Sequence, residues 1–300
     1  MLYANENISK ALRERYVLHW KSVRPVPVIR IDFGDGRKIE RTITGNSIHY
    51  VLDADGRPID AIPGLYGPKA FLHQLAWAEN VATKCAGLKG NDRERVLSVC
   101  HSDEMQKTQR AWSEDLAILN APKPASKDSA GLDTAWNASR LAKSKSAIEY
   151  PMLTAMKLSP TNESSTDEKA WAGLAALHAD DARLDAASTT MVGVKYPDAD
   201  SAGQLAMSKK IVENPLLRVV RNLERSIAED TVRNEYQLHS KIHAWFALGE
   251  AQHNVDVLND RVYTELFLTP SSDPWLGLVP QNTYTALENN GVIVPAEYCK

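Results

Sequence analysis

RTITGNSIHYVLDADGRPIDAIPGLYGPKAFLHQL, residues 41–75, changes its hydrophobic period from strand-like to helix-like within one short stretch. SIHYVLD (47–53) is β-branched and aromatic, which suits a pleated, half-buried strand. Ala54-Asp55-Gly56-Arg57 supplies turn chemistry, because Gly accepts the positive φ of a tight turn without a steric penalty. PIDAIPG (58–64) reads as the returning strand. Pro68 then precedes the helix AFLHQLAWAENVATK, with Phe71, Leu72, Leu75 and Ala78 on one side.

Outward from this stretch, the N-terminal pattern continues. Asn7-Ile8-Ser9 opens a helix with Ile8, Leu12 and Tyr16 on one stripe and Ser9 or Asn7 as its cap. YVLHW (16–20) reads as a strand, which Pro25 and Pro27 end. VIRIDF (28–33) alternates with period two, Asp35-Gly36 is a hairpin turn, and RKIERTI (37–43) returns. Residues 1–82 therefore read as a small α/β domain, followed by a helical extension over 83–120 that carries WSEDLAIL (112–119). Residues 121–146, rich in Ala, Ser, Lys and Pro, read as a linker or loose surface segment with Trp136 as its anchor. Residues 147–300 read as an α-helical domain with a loop-rich C-terminal cap. Within it, Thr166-Asp167-Glu168 is a helix start, and Asn214-Pro215 is an N-cap followed by proline at the first helical position. Leu216, Val220, Leu223 and Ile227 follow on one face of that helix.

Composition bounds the function classes. The chain has 300 residues with 43% apolar and 24% charged side chains, an ordinary globular mixture that argues against a wholly disordered polypeptide. A formal net charge of −3, from 35 basic and 38 acidic residues, gives no basic footprint for nucleic acid and no polybasic membrane patch. The polar start and the lack of a long apolar run lead us to expect a cytoplasmic protein without a membrane span. Three cysteines, Cys85, Cys100 and Cys299, suit neither a disulfide scaffold nor a four-cysteine zinc site.

The LDADG turn (52–56), the strands either side of it, the Gly64–Gly67 corner and the closing helix resemble the second half of thioredoxin-fold domains. SKALRERYVLHW (9–20) is similar to the helix and strand that precede that half. The resemblance covers roughly 70 residues and implies a thioredoxin-like N-terminal domain. Thioredoxin chemistry needs two thiols two residues apart at a helix N-terminus, where the dipole favours the thiolate. Residues 1–84 contain no cysteine, and Ser47 stands where the family carries its cis-proline. The resemblance thus implies a redox-inactive scaffold and transfers no catalytic residue; a thiol-disulfide oxidoreductase is not expected.

The most pointed polar cluster is EDTVRNEYQLHSKIHAWF (229–246). On a regular helix Glu235, His239 and His243 project within one sector of about 80°. Two imidazoles at i and i+4 can share a divalent metal, and a carboxylate one turn earlier can complete three ligands. Asp230, His253 or Glu213 could supply a fourth, with Asp230 or Asn234 in support. The same residues would serve as acid–base groups in a hydrolase-type enzyme, since His239 and His243 titrate near neutrality. The bland alternative is packing, because Val232, Tyr236, Ile242 and Phe246 share the sector. Cys100-His101 pairs a thiol with an imidazole, but helix neighbours point about 100° apart, so adjacency alone does not couple them. The Ser272–Leu278 turn, with Trp275, Leu276 and Leu278, reads as an apolar cap or a contact for a protein partner or a second copy. Two functional readings result: a redox-inactive binding or interaction module with no cofactor, or a metal-binding protein or enzyme built on Glu235, His239 and His243.

Overall fold

The computed structural model describes residues 2–23, 25–42, 47–119, 162, 166–195, 215–250, 253–276 and 286–287. Among them the architecture is mixed α+β and mostly helical, with two small antiparallel sheets. No helix among the described residues is long and apolar enough to cross a membrane. The expected linker at 121–146 with Trp136, and also Glu213, Leu278 and Cys299, lie outside the described residues.

Helix α1 spans Glu6–Arg15. Its cap is Asn5, not the expected Asn7 or Ser9: the Asn5 side chain accepts the Ile8 amide at 3.1 Å, and Glu6 meets the positive end of the dipole. The second departure follows at once. YVLHW forms no strand: residues 16–23 join no sheet, and Trp20 stands 83% exposed. β-propensity is a preference for a packed pleated surface, and no described strand lies beside this segment to provide one.

Strands β1 (Val28–Asp32) and β2 (Lys38–Thr42) pair in the expected hairpin, with Val28 opposite Thr42 and Asp32 opposite Lys38. Arg30 and Glu40 face each other across it at 2.7 Å. The period-two pattern implied one buried face, yet all five β1 residues are exposed. Strands β3 (Ile48–Leu52) and β4 (Pro58–Pro63) form the second hairpin, again as expected. Asp53 closes its turn by accepting the amides of Asp55 and Arg57 at 3.0 and 2.9 Å, and Gly56 adopts φ +77°. Every residue of β4 is buried.

Helices α2 (Pro68–Cys85) and α3 (Gly90–Ile118) follow. Arg93 of α3 is buried and pins this helix to the second hairpin: it meets Asp53 Oδ2 at 3.0 Å and donates to the Pro58 carbonyl at 2.9 Å. Helix α4 (Glu168–Leu177) starts where Thr-Asp-Glu predicted, with the Asp167 side chain accepting the Ala170 amide at 2.8 Å. Helix α5 (Ala186–Lys195) comes next, and α6 (Pro215–Arg233) begins at its proline. The run then passes through a π-helical turn, Asn234–His239, into α7 (Ser240–Ala247). Helix α8 (Val255–Arg261) ends in a second π-helical turn, Val262–Leu266.

One hydrophobic core joins Ile8 and Val51, Ile59 and Phe71, Leu97, and then Leu238, Ile242, Trp245, Leu258 and Phe267. The second hairpin and the C-terminal helices thus bury their apolar faces against each other. A second cluster holds Trp112, Trp171, Leu174, Ile227, Val232 and Tyr236. Gly67, at the start of α2, sits where these parts meet. Its amide donates to Thr231 Oγ1 at 2.7 Å, and a Cβ there would overlap the Asp181 carbonyl and lie 2.6 Å from Ala182 Cα. Backbone cannot swing aside as a side chain can, so Gly67→Ala should destabilise the protein by about 1–3 kcal/mol in denaturant unfolding.

Candidate metal centre

Strand β4 carries an aspartate in an otherwise apolar run, PIDAIP, and Asp60 is fully buried. A buried carboxylate needs a partner of opposite charge or several hydrogen bonds. His239, 1% exposed in the π-helical turn, places Nε2 at 3.0 Å from both Asp60 oxygens. Its ring stacks on that of His243 in α7, with centroids 4.1 Å apart and planes 26° apart. His243 Nδ1 lies 2.7 Å from His101 Nδ1 in α3, and His101 Nε2 lies 3.0 Å from the Ile59 carbonyl oxygen. A carbonyl only accepts, so His101 Nε2 carries a proton and the neutral ring presents its lone pair at Nδ1. One strand, one long helix and one interrupted helix therefore meet at four buried polar side chains.

The surroundings of these groups are apolar and aromatic. Phe246 stacks on His101 at 4.2 Å, and Trp77 of α2 sets its edge on His101 and His243 at 4.9 and 5.0 Å. Burial in that shell pulls the His101 pKa down to about 4. Burial, together with the neighbouring His239 and His101 charges, holds His243 well below the usual imidazole range. Burial alone would raise the Asp60 carboxyl, but the charge and hydrogen bond of His239 outweigh it and the net shift is downward. Burial likewise opposes the charge on His239, and Asp60 reverses that, so His239 is raised. Asp60 and His239 thus each favour charge on the other, beside two imidazoles that burial pushes towards the neutral form.

Carboxylate and neutral imidazole are the protonation states that bind metal. One ligand atom each from Asp60, His101 and His243 lies within 4.8 Å of the other two. This buried group could hold a metal ion. One of the two rings also has the further support that ligating histidines show, since His101 is oriented by a backbone carbonyl, and His239 in turn holds the Asp60 carboxylate.

The expected trio is thus redistributed. His243 joins the group, His239 stands behind Asp60, and Glu235 falls outside it. The reason is geometric: the π-helical turn widens the backbone at Glu235–His239, so the regular-helix sector does not apply, and β4 and α3 bring ligands from elsewhere. Asn234 instead donates to the Leu65 carbonyl at 2.8 Å, and His253 is on the surface with Glu94 at 3.4 Å. Asp230 lies at the end of α6. Sequence reasoning missed Asp60, although an aspartate inside an apolar strand was itself a signal. It considered His101 only beside Cys100, which is half-buried and unpaired. Trp275 stands 41% exposed in a turn closed by Asp273, which accepts the Trp275 and Leu276 amides at 2.9 Å.

A second cluster lies along the same helix pair. His178, after α4, has Nε2 at 2.7 Å from Asp115 and Nδ1 at 3.3 Å from Asp181. Tyr236 also donates to Asp115, at 2.5 Å, and Lys69 meets Asp181 at 2.9 Å. Burial disfavours charge on His178, but the two carboxylates prevail and raise its pKa.

The two sets of histidines load stability with opposite signs. His101 binds protons less readily folded than unfolded, so stability should fall as pH drops from about 6.5 towards 4. His178 binds them more readily folded, so its contribution is complete below about 6.5 and is lost as pH rises through its raised folded value. His178→Gln should flatten the alkaline side of a melting temperature–pH profile and leave the acid side in place. No family model matches the chain, and no curated protein or solved structure does either.

Proposed function

We propose that the protein is a metal-binding protein that holds one divalent transition-metal ion on Asp60, His101 and His243. The observation that carries this reading is the convergence of one buried carboxylate and two buried imidazoles, whose ligand atoms lie within 4.8 Å of one another. Two imidazoles and one carboxylate favour zinc, iron or another borderline ion over calcium or magnesium, which prefer all-oxygen sets. The ion would tie β4 to α3 and α7, so its binding energy would add to folding energy. Complete burial of the ligands favours a structural role over turnover of a bulky substrate.

The test is metal analysis of protein purified without a histidine tag, with melting before and after chelation. Near-stoichiometric metal is expected, together with a lower melting temperature after chelator, restored by Zn²⁺. Asp60→Asn and His243→Asn should each abolish the restoration. A parent protein with only traces of metal, and a melting temperature indifferent to added ions, would remove this reading.

The thioredoxin-like reading of residues 1–82 is supported by the order β3, LDADG turn, β4, corner, α2. A second functional reading, a module for a protein partner or for self-association, draws on the exposure of Val17, Leu18, Trp20 and Trp275. Sedimentation at rising concentration should then show a dimer that Trp20→Ser weakens; a monomer throughout would discard self-association.

A further inference from the structure

The first hairpin stands apart from both hydrophobic cores: residues 28–40 are exposed throughout, and none of them belongs to either apolar cluster. Its two faces differ in kind. Arg30 with Glu40, and Asp32 with Lys38, are ion-paired at 2.7 and 2.8 Å on one face. Ile29, Ile31 and Phe33, with Ile39 opposite Ile31, lie on the other, and all four are exposed. A lone two-stranded hairpin is at best marginally stable in water, and further strands or a packed apolar face are what sustain one.

The outer edge of β1 is open, since no described strand lies on that side. The Phe33 amide donates to the Arg37 carbonyl, so the odd-numbered residues of β1 turn their backbone groups towards β2. Val28, Arg30 and Asp32 therefore turn theirs outward. A second β1 pairing antiparallel on this edge must oppose even-numbered residues to even-numbered ones. With the two-fold axis at Arg30 that residue faces itself, and with the axis at Asp32 two aspartates meet. An axis at Ile31 instead opposes Arg30 of each copy to Asp32 of the other. Like charges directly opposite destabilise an antiparallel pair, and opposite charges support it. The same register sets Ile31 against Ile31 and Ile29 against Phe33, and it continues the charged face as a row of alternating sign, Glu40, Arg30, Asp32, Lys38. The other edge suits pairing less: β2 reads KIERT, with Ile39 as its one apolar residue among charged neighbours that blunt it.

We propose that two copies of this chain associate through β1, edge to edge and antiparallel about a two-fold axis at Ile31, so that their hairpins form one continuous sheet. The proposal rests on the self-association reading and names its seam. An isologous contact needs a patch that complements itself, and VIRIDF (28–33) does so in charge, in apolar contact and in the direction of its free backbone groups. Main-chain hydrogen bonds between Arg30 of one copy and Asp32 of the other supply attraction. The charges select the register, because exposed ion pairs add little stability but like charges exclude the competing alignments. The joined sheet gathers Ile29, Ile31, Phe33 and Ile39 of both copies on one face.

The experiment is sedimentation of the full chain and of two charge-swapped variants, each of which keeps its own hairpin ion-paired. Arg30→Asp with Glu40→Lys leaves acidic side chains at both 30 and 32, and Asp32→Arg with Lys38→Glu leaves basic ones at both. The parent is expected to dimerise as its concentration rises, and each variant alone to need at least about tenfold more protein. An equal mixture of the two variants should dimerise as the parent does, since acid then opposes base at both crossings, a rescue that misfolded chains could not give. A dimer that both variants form as readily as the parent, or variants that stay weak when mixed, overturns the seam and leaves self-association standing. A parent that stays monomeric removes both.

Discussion

A carboxylate with no exposure to water, Asp60, sits in β4, which is buried at every residue, and His239 faces both of its oxygens. A buried carboxylate is costly to leave without a partner, and each member of this pair favours charge on the other. Removing one partner of such a pair typically costs about 3–5 kcal/mol, because the other is left uncompensated. The Asp60–His239 contact therefore dictates where β4 and the π-helical turn lie relative to each other. His243 stacks on His239, His101 reaches back to the backbone beside Asp60, and α3 is placed by that link.

Two further polar ties hold α3 along its length. At its start the buried Arg93 grips Asp53 and the Pro58 carbonyl, so the second hairpin and the helix move as one. Near its end Asp115 takes both His178 and Tyr236. Between them lies the histidine layer, roofed by Trp77 and Phe246. Aromatic faces keep water out without offering competing hydrogen bonds, which keeps His101 and His243 neutral. The interruption of the 215–247 helix belongs to the same arrangement. A π-helical turn re-aims the side chains it carries, and here it delivers His239 to Asp60.

Some of this was legible in local sequence. The β3–turn–β4–α2 order followed from the LDADG turn and the change of period at Pro68, both of which act within a few residues. His239 and His243 stood out by spacing. The strand expected at 16–20 failed because a strand needs a neighbour, and nothing in YVLHW states whether one exists. Glu235 was grouped with His239 and His243 by assuming a regular helix, and the π-helical turn has no simple sequence signature.

The sequence by itself determined the turns, the start of α4, the two hairpins, the helical character of the described C-terminal residues and the presence of histidines one turn apart, because these depend on neighbours along the chain. Only the tertiary structure decided that Asp60 and His101, 41 positions apart, close the cluster, and that His239 supports the carboxylate. The physical reason is that burying a charge is a property of the assembled core: the partner that makes it tolerable arrives from another element, at a sequence distance that local pattern does not encode.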